Sequence, residues 1–534
     1  MKAQMVGTAV IAVFAAAVCG APARAHAEDL AEKIQRMEQE LQEMKGELQR
    51  QKAVQQKAEQ EKAEQDKAAA ERAAAQAAAA PPSKAVAAEL LERVKLGGYG
   101  SFRFEHSSLD DVKNTFTYRR FVLTTDANIA PRLRSYFELE FERFRKLELE
   151  KSQQVSGGGL TTAHAVEGTD DSEISIEQAW MQYDLADWLR FRGGAVLVPL
   201  GRFNINHDDN RWDLPRRSLV DRGVPVLPST AAWDELGVGF TGDVPLSDTV
   251  LGNYQLYVMN GVTLDSSIDK VVQQRPGDTA LSEDEVELSP STGTFNLDNK
   301  DAKAVSGRFA VSPALGNEIA GSFYWGRYTP DFLPSEDLYA LSADGIYGLG
   351  PFELEGEYVF THFGGVKNVA RGFANVALQQ EASVESPTLE HEVDFELANL
   401  ASDKQGYWID LRYRFWPSVL NQTVFGHPFQ HPQMIATIRG EQVWLGGLVR
   451  RADFGGSGVG SAGQLTGFET ENRHIDRVTV GFAYRPVPLV VFQLAYEYTR
   501  TDGGKSLADV TNFLPSGVTE NEAHSLLTGI AFGF

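Results

Sequence analysis

"SLLTGIAFGF", residues 525–534, ends the chain, and its side chains sort by parity. Leu526, Thr528, Ile530, Phe532 and Phe534 take one set of alternate positions, and Leu527, Gly529, Ala531 and Gly533 take the other. Successive side chains of an extended strand point to opposite faces, so this segment has one bulky apolar face and one small face. A soluble sheet could end in the same way. Whether a membrane barrel is the better account depends on whether the pattern recurs.

It recurs along most of the chain. Phe352, Leu354, Tyr358 and Phe360 oppose Glu353, Glu355, Glu357 and Thr361, and Phe137, Leu139 and Phe141 oppose Glu138, Glu140 and Glu142. Tyr407, Ile409, Leu411, Tyr413 and Phe415 oppose Trp408, Asp410, Arg412 and Arg414, while Val478, Val480, Phe482 and Tyr484 oppose Arg477, Thr479 and Arg485. An aromatic-rich, charge-free face set against a charged one is the inside-out arrangement of a transmembrane barrel, apolar outside and wet within. Outward aromatics at strand ends, such as Phe415, Tyr496 and Tyr498, suit interfacial girdles.

Segments of this kind begin near residues 95, 115, 133, 173, 188, 232, 250, 302, 317, 337, 351, 406, 435, 474, 488 and 525. That is about sixteen strands, an even number as bacterial barrels require. "NIAP", "LADW", "GLGP" and "PVPL" read as tight turns, whereas 145–172, 198–231, 260–301, 362–405, 449–473 and 501–524 are long and polar. Short turns belong on the periplasmic side and long loops outside. The segment 417–434 breaks the alternation, so it is either a folded excursion or a sign of a miscounted strand.

Before the barrel the composition changes. Residues 1–27 read as a signal peptide, with Lys2, an apolar run and the small-residue site Ala25, His26, Ala27. The single cysteine, Cys19, lies within it behind a poor lipoprotein box, which leaves the mature chain without disulfides. Residues 28–80 carry Leu30, Ile34, Met37, Leu41, Met44 and Leu48 at alternating spacings of four and three, the seam of a coiled coil. A solvated single helix is the alternative; self-association as a trimer is the expectation. Pro81 and Pro82 end the helix, 81–94 form a linker, and 95–534 form the barrel. The expected class is all-β: a transmembrane antiparallel β-barrel preceded by a periplasmic α-helical coiled coil.

Composition excludes several functions. A formal charge of −23 over 534 residues argues against a nucleic-acid partner. After the N-terminus no apolar run nears the roughly 20 residues of a spanning helix. His427 and His431 stand four apart, but in a Pro-interrupted loop, so no metal site, cofactor or enzymatic activity is expected.

The third long loop holds Arg202, Asp208, Asp209, Arg211, Asp213, Arg216, Arg217 and Arg222, together with Trp212 and Pro215. Its mixed charges read as a constriction that touches solute in the lumen, or else as solvated pairs of little energetic worth. Facing the same lumen are Arg103, Arg120, Arg190, Arg192, Arg412, Arg414, Glu353, Glu355 and Glu357, as solute guides or as paired struts. "GGYGSFRFE" (97–105), "YRRFVLTTDANI" (118–129), this loop and the terminal phenylalanine together resemble the phosphate-selective porin O and P family. The resemblance implies a trimeric diffusion channel of the bacterial outer membrane for small hydrophilic solutes or ions, anions among them. The inward glutamates would repel phosphate. A structural tether to the cell wall, or a sheath for a partner protein, is the alternative.

Overall fold

The computed structural model describes residues 93–534 apart from 111, 144–146, 157–158, 169–172, 222–225, 229–231, 274–280, 292–297, 373–389, 397–399, 456–463, 503–505 and 508–517. The signal peptide, the heptad segment and most of the linker lie outside the described residues.

Sixteen strands close into one antiparallel ring: β1 (Val94–Ser107), β2 (Thr115–Ala130), β3 (Leu133–Glu142), β4 (Glu173–Ala186), β5 (Leu189–Leu197), β6 (Asp234–Pro245), β7 (Leu251–Met259), β8 (Ala304–Ala314), β9 (Asn317–Arg327), β10 (Asp337–Leu349), β11 (Phe352–Phe363), β12 (Ala401–Phe415), β13 (Gln433–Gly455), β14 (Gln464–Val487), β15 (Val490–Thr501) and β16 (Glu522–Gly533). The ring shuts where β16 pairs with β1, Tyr99 opposite Gly533 and Ser107 opposite Ser525. The Phe534 amide donates to the Gly98 carbonyl at 3.0 Å, so the last residue completes the seam. Closure leaves the ring without a free strand edge, as a spanning sheet requires.

Side-chain parity sets inside and outside. On β16, Leu526 and Ile530 are exposed, as is Phe534 just beyond it, while Leu527 and Ala531 are buried. Leu354, Ile409, Leu411, Val480 and Leu494 are likewise exposed around the ring, with Glu355, Asp410, Arg412, Thr479 and Gln493 buried between them. Aromatic pairs such as Phe352 with Tyr413, 5.0 Å apart, mark the exterior near the short-turn end. No helix among the described residues is long and apolar enough to cross a membrane.

Three long connections carry strands of their own, the first as a separate two-stranded sheet. Leu147–Ser156 pairs with Gly159–Gly168, Thr263–Gln273 pairs with Leu281–Ser291, and Glu390–Glu396 joins the latter hairpin to β13. The sequence expectation placed strand starts near 406 and 474, yet β12 begins at Ala401 and β14 at Gln464, because their ladders run on past the wall. Segment 417–434 is a folded excursion, not a strand-count error: Ser418–Gln422 forms a 3-10 turn. The excursion lines a cavity of about 740 Å³ with Arg414, Trp416, His427 and His431.

Candidate functional site

The connection between β5 and β6 leaves the wall and enters the lumen. Its turn depends on Gly201, whose φ of 75° lies in the left-handed region and whose missing side chain makes room for Glu357: a methyl there would stand 2.1 Å from Glu357 Oε1. One helical turn follows, α1 (Arg202–Ile205), and the Phe203 amide donates to Glu357 Oε2 at 2.9 Å. Phe203 stacks on Trp212 with ring centroids 4.0 Å apart, and both meet Trp408 of β12 edge-on. Arg439 of β13 lies over all three rings, at 5.7, 5.5 and 5.1 Å from their centroids.

The loop is bonded to strands on several sides of the ring. Ser101 Oγ donates to Asp209 Oδ2 at 2.6 Å, and Arg103 Nη1 donates to the Pro215 carbonyl at 3.1 Å. Arg202 pairs with Glu355 and, at 3.0 Å, with Glu318. Arg216 pairs with Glu497 and, at 3.2 Å, with Glu105. Arg485 grips Asp213 Oδ1 at 2.8 Å and the Trp212 carbonyl at 3.0 Å. Glu441 accepts the Leu219 amide at 2.8 Å, and Arg477, which bonds Glu441, also donates to the Arg217 carbonyl at 2.6 Å.

These bonds divide the lumen in two. Towards the long-loop end, Leu200, Leu219, Val220, Val226, Leu227 and Trp233 of the loop form an apolar core with Tyr257 and Tyr324 of the wall. Glu441, Arg477 and Glu497 are buried there to within about 2 % of full coverage. Towards the short turns the inward charges stay partly open: Arg134 pairs with Asp126, Arg190 with Asp243, and Arg414 with Glu353. Arg211 is exposed; it pairs with its neighbour Asp208 at 2.9 Å and donates to Asn206 Oδ1 at 3.1 Å.

Of the loop residues singled out in the sequence, Arg202, Asp209, Asp213, Arg216 and Arg217 are tied into the plug, Asp208 and Arg211 face the open half, and Arg222 lies outside the described residues. Arg103, Arg120, Arg412, Glu355 and Glu357 face inward among partners: Arg120 is 2.9 Å from Glu140, and Arg412 is 2.6 Å from Asp410. Arg192 donates to Gln182 at 2.7 Å and lies 3.9 Å above the Trp180 ring. Sequence reasoning missed His207, which alternation cannot flag because it sits in a loop. Burial pushes its imidazole down, but the Glu177 carboxylate at 3.2 Å outweighs that and raises it to about 9. Burial pushes Asp209 up, and the Arg120 and Arg217 guanidiniums more than reverse this, holding it well below the ordinary carboxylate range.

No family model matches the chain. An uncharacterized protein of Aquifex aeolicus strain VF5 is 24% identical over 260 residues, 45% of this chain and 53% of that protein, so the chain spans about half the length of the curated relative it matches. Among solved structures, the anion-selective porin from Comamonas acidovorans covers 83% of this chain and 99% of its own at 9% identity, with a TM-score of 0.43. Salmonella typhi OmpF in complex with daunomycin covers 83% and 97% at 12% identity, TM-score 0.43. The outer membrane channel DcaP of Acinetobacter baumannii covers 82% and 97% at 9% identity, TM-score 0.37. The closed barrel is established by this chain's own strand pairing.

Proposed function

We propose that the chain is an outer-membrane channel of porin type for passive diffusion of small hydrophilic solutes or ions, set in lipid and self-associating, as a trimer, through its heptad segment. The observation that carries this reading is the division of faces: an apolar exterior around the ring, and within it a half-lumen lined by partly open charges and floored by Arg211 and Asp208. Solutes would contact the loop from that half. Anions fall within its range, but near-complete pairing of the inward arginines with carboxylates supports weak charge preference over a dedicated phosphate selector, which needs cations free to bind.

The packed outer half favours one other reading, a barrel sealed by its own loop that serves as a tether or sheath. Single-channel recording in planar bilayers, joined to liposome swelling with sugars and dicarboxylates, separates the two. Conductance steps and solute-dependent swelling support the channel. A folded, membrane-inserted barrel that is silent in both assays defeats it.

A further inference from the structure

We propose that Glu138, Glu177 and His207 form a site for a divalent transition-metal ion that pins the lumen loop to the wall between β3 and β4. One donor atom from each lies within 4.8 Å of the others, and all three side chains are buried. Two carboxylates and one imidazole suit Zn²⁺ or Mn²⁺, whereas Mg²⁺ and Ca²⁺ prefer all-oxygen sets.

The orientation of the imidazole is a separate observation. His207 Nδ1 is 2.9 Å from the Asn204 carbonyl, which can only accept, so Nδ1 carries the hydrogen and Nε2 is the atom turned to Glu177 Oε2 at 3.2 Å. Carbonyl-bound imidazoles present their other nitrogen to metals in this way. The carbonyl is itself fixed, because the Asn204 side chain bonds the Val198 carbonyl at 2.9 Å and the Trp233 amide at 2.8 Å. Glu138 Oε2 accepts from Gln178 at 2.6 Å and from Tyr136 at 3.3 Å, which orients the carboxylate.

The charge around the site also asks for a cation. Asp208 Oδ1 lies 3.9 Å from His207 Nε2. The Asp234 carboxylate, whose Oδ2 is buried without a hydrogen-bond partner, adds its field at Glu177 and His207. Arg120, 3.6 Å from Glu177 Oε1, and Arg217, which acts on His207, oppose a cation, but Arg120 is already engaged by Glu140 at 2.9 Å and Glu142 at 3.7 Å, and Arg217 by Asp221 at 3.3 Å. Bonds of about 2.0–2.2 Å in a tetrahedral site place donors roughly 3.4 Å apart, close to the 3.2 Å between His207 Nε2 and Glu177 Oε2 and inside the 4.8 Å that spans the three groups.

The test uses the full chain, folded in detergent, stripped with chelator and titrated calorimetrically with ZnCl₂, then with CoCl₂ while the visible spectrum is followed. We expect one Zn²⁺ per chain at micromolar affinity or tighter, cobalt bands of a nitrogen and oxygen environment, and no response to MgCl₂ or CaCl₂. His207→Ala and Glu177→Gln should each weaken Zn²⁺ at least tenfold, and His427→Ala with His431→Ala should leave it unchanged. Should His207→Ala misfold, as judged by loss of the heat-modifiable gel shift, the wild-type cobalt spectrum and Glu138→Gln still decide. Zn²⁺ binding no tighter than millimolar, or binding indifferent to these changes, overturns the site. The measurement reads binding rather than current, so its outcome is independent of conduction.

Discussion

Pro215 of the lumen loop rests on Gly529 of the closing strand: a methyl group on Gly529 would stand 3.0 Å from Pro215 Cβ. Further along the same face, a methyl on Gly533 would meet Asn210 Nδ2 at 2.7 Å, and on β14 one on Gly481 would meet Leu214 Cδ2 at 2.2 Å. Leu214 packs with Ala495 and Leu527. The small face of the final ten residues is therefore the seat of the plug, and the bulky face is the outer wall.

Gly529→Leu follows directly from that contact. The added side chain has no room on the lumen side, and overpacking of this kind costs about 1–3 kcal/mol. Since the loop is held by separable contacts and the wall by a continuous ladder, the loop should yield first. Liposome swelling with a small sugar is expected to quicken several-fold; an unchanged rate would show that the loop repacks in place.

Arg439 has two partners that hold it differently. Its Nε and Nη2 reach Asp410 at 2.6 and 2.8 Å, and its face covers the Phe203, Trp212 and Trp408 rings. Arg439→Ala leaves Asp410 buried with Arg412 alone, and breaking a buried pair in this way costs roughly 3–5 kcal/mol. Removing both charges, with Asp410→Asn and Arg439→Met, should cost less than the single change. Urea titration of the detergent-folded barrel measures both, and a double variant less stable than the single one would refute the assignment.

Selectivity should sit on Arg211 rather than on its neighbours. Arg211 is exposed in the open half, while Arg216 and Arg217 are committed to Glu497, Glu105, Asp221 and the His207 carbonyl. A screened charge is worth roughly 0.2–1 kcal/mol, so Arg211→Gln should raise the potassium-to-chloride permeability ratio about 1.5- to 5-fold. Arg217→Gln should leave the ratio near wild type and lower stability instead. Reversal potentials in a KCl gradient distinguish the two.

The fold was legible because strand parity has no ambiguity where one face is lipid: Glu353 to Thr361 and Asp410 to Arg414 announce their direction one residue at a time. Boundaries at Ala401 and Gln464 were not, since strands that leave the membrane lose the apolar half of the signal while keeping their hydrogen bonds. The loop's charges and tryptophans marked it as a packed element, yet nothing in its spacing shows that Arg216 reaches Glu497, 281 residues away. His207 was invisible for the same reason: its partner Glu177 lies on a strand, and only the loop's path brings them together.

Leu411→Arg tests the exterior itself. Leu411 is exposed on the outer face of β12, four residues from that strand's end, among Leu354, Ile409 and Ile438. On a water-facing surface such a change is worth no more than about 0.5 kcal/mol either way. In a bilayer the cost is about 2–4 kcal/mol at the midplane and about 0–1 at the interface, so two residues in from the Tyr413 end it comes to about 1–2 kcal/mol. Unfolding titrations in phosphatidylcholine vesicles should therefore show a loss of that size, with Thr437→Arg on the lumen side failing for a different reason, by collision with the plug. A Leu411→Arg barrel as stable as wild type in lipid would mean that the apolar band meets water, and the membrane reading would go with it.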